Sequence, residues 1–144
     1  MSEKRVCSLV LLILAVSMVL FFTFQNPEDS KMLSETVRAW LGNIGIRVEY
    51  TALRSNIHIL EYFVVGLAVC AFLGKRWIKI LIGCGIGMID EGIKVLLPGR
   101  EFSSRDLIKD FLGILLAIMI VEVILEIVHN RKNNNTNEGD YGNV

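Results

Sequence analysis

A chain of 144 residues that is 53% hydrophobic, with a mean hydropathy of +0.52, is more apolar than an ordinary soluble domain, where about 45–50% is usual even with glycine counted. Its formal net charge is zero, so charge gives no case for nucleic acid as a partner. Cys7, Cys70 and Cys84 fall inside apolar runs without disulfide or metal-ligand spacing, which leaves them as small hydrophobes.

After a short basic start (Lys4, Arg5), residues 6–24 are apolar apart from Cys7, Ser8, Ser17 and Thr23, long enough to cross a bilayer. No A-x-A follows, so the run reads as a retained span rather than a cleaved signal. Asn26-Pro27-Glu28-Asp29 is a helix start: a capping residue, a proline for the first turn, and acids at the positive end of the helix dipole. Leu33, Val37, Trp40 and Ile44 follow at helical spacing, and Gly42 is the expected stop. This amphipathic helix either lies on the membrane surface with Trp40 at headgroup level or packs over the mouth of the bundle.

The second span is expected over 57–73, with His58, Glu61 and Tyr62 in its first two turns. A basic turn, Gly74-Lys75-Arg76, leads to a third span over 77–97 that carries Asp90, Glu91 and Lys94 toward its far end. Pro98-Gly99 breaks that helix, Ser103 or Ser104 caps the next, and the fourth span covers 106–127. The Asn-rich residues 130–144 are expected to be disordered. The reading is one all-α membrane domain over 1–129: four transmembrane helices plus an amphipathic interfacial helix between the first and second.

Lys4, Arg5, Lys75, Arg76, Lys79, Arg131 and Lys132 fall on one side of such a bundle; Lys31, Arg38, Arg47, Arg54, Arg100 and Arg105 fall on the other. With Arg54, Arg100 and Arg105 set aside as counter-ions of intramembrane acids, the bias puts both termini in the cytoplasm. The polar groups then open outward.

A charge near the bilayer centre costs roughly 2.5–3.5 kcal/mol on insertion scales, so the acids need partners, water or a proton. At 1.5 Å per residue, His58, Glu61, Asp90, Lys94, Asp106 and Asp110 all lie in the outer third of the bilayer. Helical spacing gives each polar patch a face with small residues below it: His58, Glu61 and Tyr62 on the second span, Gly83, Gly87, Asp90 and Lys94 on the third, Asp106, Asp110, Gly113 and Ala117 on the fourth. Glu91 lies beside the third stripe. Lys109, Glu126 and His129 read as snorkelling or interfacial groups, while Glu122 is deeper and has no assigned role.

The candidate ligand-binding set is therefore Arg54, His58, Glu61, Tyr62, Asp90, Glu91, Lys94, Arg100, Asp106 and Asp110. His58, Glu61, Asp90 and Glu91 are the candidates for acid–base work. No Ser or Cys stands beside a base, which argues against a nucleophile. His58-x-x-Glu61 is not the two-histidine zinc motif, so no metal site is assigned and any cofactor is left open.

Three stretches resemble the VanZ-like family of bacterial membrane proteins. Phe24-Gln25 with Ser30 and Ser34 is similar to its F-x-x-Q…S…S stretch. Arg54-x-x-x-His58-x-x-Glu61-Tyr62 is similar to its second-helix motif. Asp90-Glu91-x-x-Lys94, then Pro98-Gly99-Arg100, Asp106, Asp110 and Gly113, is similar to its D-E-x-x-Q…P-G-R…D…[ND]-x-x-G signature, with Lys94 where Gln is usual and Ala117 where a second Gly is common. The resemblance implies a multi-pass protein of the bacterial cell membrane. It also implies a link to resistance against teicoplanin, a glycopeptide antibiotic with an acyl tail that concentrates it in the outer leaflet. The expected partners are the bilayer and an envelope lipid headgroup or a lipoglycopeptide. Three readings follow: an envelope protein that lowers lipoglycopeptide action, an intramembrane acid–base enzyme on a lipid-linked headgroup, and a proton-coupled transporter, ranked last because no polar trail crosses the bundle.

Overall fold

Five helices make up the computed structural model, which describes residues 2–140, except the side chains of Pro27, Arg54 and residues 134–140. In chain order they are α1 (Glu3–Phe24), α2 (Pro27–Asn43), α3 (Tyr50–Phe72), α4 (Arg76–Val95) and α5 (Ser104–Asp140). There is no strand among the described residues. Among the described residues three stretches are long and apolar enough to cross a membrane: Glu3–Phe24, Tyr50–Phe72 and Ser104–Asn133. The 22 residues of α1 rise about 33 Å, close to the roughly 30 Å of a hydrocarbon core.

The helix α4 is of spanning length at 20 residues, but Arg76, Lys79, Asp90, Glu91 and Lys94 make it too charged to qualify by composition alone. Its polarity is inverted. Lys79, Gly83, Gly87, Asp90, Glu91 and Lys94 are its buried residues, while Leu81, Met88 and Ile89 are exposed. A helix on a water-soluble core does the reverse; charges turned inward and apolar side chains outward suit a lipid surround.

The most extensive helix contact is between α3 and α5. It is set by backbone proximity. A Cβ on Gly66 would lie 2.7 Å from the Ala117 Cβ and 3.0 Å from the Ile114 carbonyl oxygen, and one on Gly113 would fall on the Ile59 carbonyl oxygen. Around that crossing Val19, Tyr62, Val65, Val69, Ile114 and Ile118 form the core, to which α1 adds its inner face.

Several boundaries differ from expectation. The helix α3 begins at Tyr50, seven residues before the apolar run, because nothing between Tyr50 and Asn56 breaks a helix. At the C-terminus, α5 continues to Asp140, so the tail expected to be disordered from 130 is helical that far. Once a helix is established each added residue closes one more backbone bond at little cost. Residues 141–144 lie outside the described residues. The helix α2 starts at Pro27 as expected, but it stops through Gly45, at φ +87°, with the Ile46 amide donating to the Leu41 carbonyl, rather than at Gly42. Its expected apolar stripe does not face the bundle: Leu33, Trp40 and Ile44 are exposed, and the buried residue is Ser34.

The α3–α5 crossing gives a direct test. Gly113→Ala should destabilise the protein by about 1–3 kcal/mol through overpacking. Gly85→Ala, where a Cβ meets nothing within 4 Å, should be neutral or slightly stabilising. Thermal unfolding of the two variants in detergent compares them.

Candidate polar site in the bundle

The site lies at one end of the bundle, where α1 and α4 finish and α3 and α5 begin. It is built on α4. Asp90, Glu91 and Lys94 stand at i, i+1 and i+4, so one ammonium reaches both carboxylates: Lys94 Nζ is 2.8 Å from Asp90 Oδ2 and 2.6 Å from Glu91 Oε1. All three side chains are buried, Glu91 completely. The remaining carboxylate oxygens take partners from other elements. The Ser103 amide, just before α5, donates to Glu91 Oε2 at 3.0 Å. The hydroxyl of Thr23, in the last turn of α1, donates to Asp90 Oδ1. Removing one member of such a buried set leaves a charge without its counterpart, at a cost of several kcal/mol.

Arg100 was expected as a counter-ion of these acids. The Pro98-Gly99 turn, with Gly99 at φ 72°, does carry it back over the bundle, but it finds a different partner. Its Nη2 donates to the carbonyls of Phe22, at 3.1 Å, and Gln25. These are C-terminal carbonyls that α1 itself cannot satisfy, so the guanidinium acts as a cap. Arg105 is exposed and forms no ion pair with a described carboxylate. The Arg54 side chain lies outside what is described.

On α3, Glu61 and Tyr62 are buried and His58 is half-buried. His58 Nδ1 stands 3.6 Å from Asp110 Oδ1, beyond normal hydrogen-bond length. Asp110 is fully buried on α5, yet neither of its oxygens has a hydrogen-bond partner; the same holds for the Tyr62 hydroxyl. Carboxylate oxygens of Asp90, Glu91 and Asp110 lie within 4.8 Å of one another, a set that offers ligands to a metal ion although the sequence assigned none. Asp106 stands apart. Its amide donates to Ser103 Oγ at 3.2 Å, which caps α5, and its carboxylate pairs with Lys109 at 2.8 Å instead of joining the cluster. Lys109, read from sequence as snorkelling or interfacial, is thus also an ion-pair partner.

Beside the cluster lies a cavity of about 50 Å³. Every helix except α5 contributes to it: Phe22 and Thr23 from α1, Ser30 and Ser34 from α2, Ile57, His58 and Glu61 from α3, Asp90 and Lys94 from α4, with Arg100 from the following turn. Of the sequence-derived set it brings together His58, Glu61, Asp90, Lys94 and Arg100. Glu91, Tyr62 and Asp110 form the buried layer beside it. Sequence reasoning missed Thr23 and the Ser103 amide, and did not rank Ser30 and Ser34 as site residues, though their i, i+4 spacing puts them on one face.

Glu122, which the sequence left without a role, belongs to a second ionic group at the other end of the bundle. It lies 2.6 Å from Lys79 Nζ and 3.3 Å from Arg76 Nη2, both on α4. The two charged ends of α4 are thus each matched by neighbouring elements.

An all-helical membrane protein with an internal charged cluster is the class that fold and site define. The family model described as VanZ/LLP1 matches residues 8–125, most of the chain, and the protein belongs to that family. Neither the curated proteins nor the solved structures give a match.

Lys94→Met should destabilise the protein by about 3–5 kcal/mol, because Asp90 and Glu91 keep their burial and lose their shared cation. Lys109→Met, which breaks a half-exposed i, i+3 pair, should cost no more than about 0.5 kcal/mol. Chemical unfolding of the detergent-solubilised proteins separates the two.

Proposed function

We propose that this protein is a multi-pass protein of the bacterial cell membrane that binds an anionic group of an envelope lipid in its polar cavity, and thereby lowers susceptibility to lipoglycopeptides of the teicoplanin type. In this reading α4 is a membrane span like α1, α3 and α5, the third of four in chain order, α2 lies at the interface, both termini are cytoplasmic, and the cavity opens outward. The inverted polarity of α4 supports the span. The exposure of Leu33 and Trp40 on α2, while Ser30 and Ser34 face the cavity, supports the interfacial placement.

The observation that carries the headgroup reading is Arg100. It lines the cavity, and its buried Nε has no acceptor, although Nη2 is fully used. An N–H left without an acceptor in a cavity that also presents the Ser30 hydroxyl and the Lys94 ammonium favours a small oxyanion such as a phosphate. Size narrows the choice further. About 50 Å³ admits a few waters or one small polar group, not a glycopeptide. Any effect on such a drug then runs through the lipid surface where its acyl tail anchors, at about 0.8 kcal/mol per buried methylene.

Expression in a susceptible host should raise the inhibitory concentration of teicoplanin by roughly fourfold or more and leave that of vancomycin, which lacks the acyl tail, unchanged. Arg100→Lys, which removes the planar fork but keeps the charge, should abolish the difference at equal membrane abundance. Equal responses to the two drugs would end the resistance reading. Unchanged protection by the Arg100 variant would remove the cavity from it.

One observation favours a second reading, an acid–base enzyme acting on a lipid-linked headgroup. His58 and Glu61 face the same cavity, and the buried Asp110 stands behind the His58 ring at 3.6 Å. Purified protein incubated with envelope lipid extract should then change a headgroup, seen by mass spectrometry, and His58→Gln should stop the change. An unaltered lipid profile decides for binding alone.

A further inference from the structure

We propose that Asp90, Glu91 and Asp110 bind a hard divalent cation, with the Tyr62 hydroxyl as a further oxygen donor. This goes beyond headgroup binding and does not depend on it.

Four buried carboxylates, Glu61, Asp90, Glu91 and Asp110, meet at this end of the bundle. Among the described residues Lys94 is the one cation within bonding distance of any of them, apart from the more distant His58. The lysine satisfies Asp90 and Glu91 on one side. Asp110 is poorly satisfied: it is fully buried, both of its oxygens lack a hydrogen-bond partner, and its one ion-pair neighbour, His58 Nδ1, stands 3.6 Å away. The Tyr62 hydroxyl is a second, independent orphan, on a residue that is also fully buried. The two side chains flank the same spot on α4, since a Cβ at Gly87 would lie 3.5 Å from both the Tyr62 Cε1 and the Asp110 Cβ, one turn before Asp90 and Glu91. Buried polar groups without partners are rare, and two facing one acidic cluster point to a missing ligand.

The geometry suits a cation. Ligand oxygens of Asp90, Glu91 and Asp110 lie within 4.8 Å of one another, while the coordination sphere of calcium, with bonds of about 2.3–2.6 Å, measures about 4.6–5.2 Å across. Donors that are all oxygen select calcium, magnesium or manganese over the softer zinc and copper. Asp90 also borders the neighbouring cavity of about 50 Å³, which supplies an entry route and room for a few water ligands.

The test is a titration of the purified full-length protein, stripped with chelator, with Mn²⁺ followed by electron paramagnetic resonance, and competition by Ca²⁺ and Mg²⁺. Saturable binding of about one ion per chain is expected, with a dissociation constant below about 1 mM. Asp110→Asn should weaken it by about tenfold or more. Glu122→Gln, in the separate cluster with Lys79, should leave it unchanged. Absence of saturable Mn²⁺ binding to the wild-type protein overturns the proposal, as does Asp110→Asn binding with wild-type affinity. Should Asp110→Asn not fold, Tyr62→Phe decides: several-fold weaker binding supports the site, and unchanged affinity overturns it. Loss of lipid-headgroup binding with Mn²⁺ binding intact would count only against the function proposed above.

Discussion

Two adjacent carboxylates buried against a single ammonium constrain everything near them. In a low-dielectric interior the attraction of Lys94 for Asp90 and Glu91 is strong, but it offsets the desolvation of three charges only when the remaining oxygens are also bonded. That requirement recruits the neighbours. The turn after α4 has to place the Ser103 amide on Glu91, and α1 has to end where the Thr23 hydroxyl can reach Asp90. Arg100, held by the open carbonyls at the end of α1, ties the same turn to the same helix end. A few polar bonds therefore fix the relative positions of α1, α4 and α5.

The rest of the bundle is held differently. Helices surrounded by lipid gain little from apolar burial, so close packing has to supply the contact. Gly66 and Gly113 let the backbones of α3 and α5 approach until a single added methyl would collide with a neighbouring main chain. That rigid pair carries His58, Glu61 and Tyr62 on one helix and Asp110 on the other, which positions half of the polar site without a hydrogen bond between them. At the far end the Lys79–Glu122 pair gives α4 a second polar attachment to α5. A helix this charged is thus matched at both ends by its own bundle.

The contrast between satisfied and unsatisfied groups is what gives the site functional content. Asp90, Glu91 and Lys94 are mutually bonded and hold the neighbouring elements together whatever else the two carboxylates bind. Asp110, the Tyr62 hydroxyl and the Arg100 Nε are buried with unused bonding capacity and read as places where something else belongs. Their surroundings differ: the buried layer offers acidic oxygens and the Tyr62 hydroxyl, whereas the cavity adds Lys94, the Arg100 guanidinium and the Ser30 hydroxyl to the carboxylates of Glu61 and Asp90. A cation in the first and an oxyanion in the second would be electrostatically complementary neighbours.

Much of this was determined by the sequence alone. Hydropathy and helical periodicity placed the apolar helices, put Asp90 and Lys94 on one face of α4 with Glu91 beside it, and set the turn at Pro98-Gly99, because these depend on local backbone preference and on spacing along a single helix. The tertiary structure decided partnerships. Arg100 and Glu122 look in sequence like a counter-ion for acids and an orphan charge. They became a helix cap and an ion-pair partner only when α1 and α4 were brought beside them. Thr23 and the Ser103 amide carry no local signal at all, since a hydroxyl or a backbone N–H becomes a ligand only through what another segment places within reach. Periodicity fixes which way a side chain faces, but which atom it meets depends on the packing of helices distant in the chain.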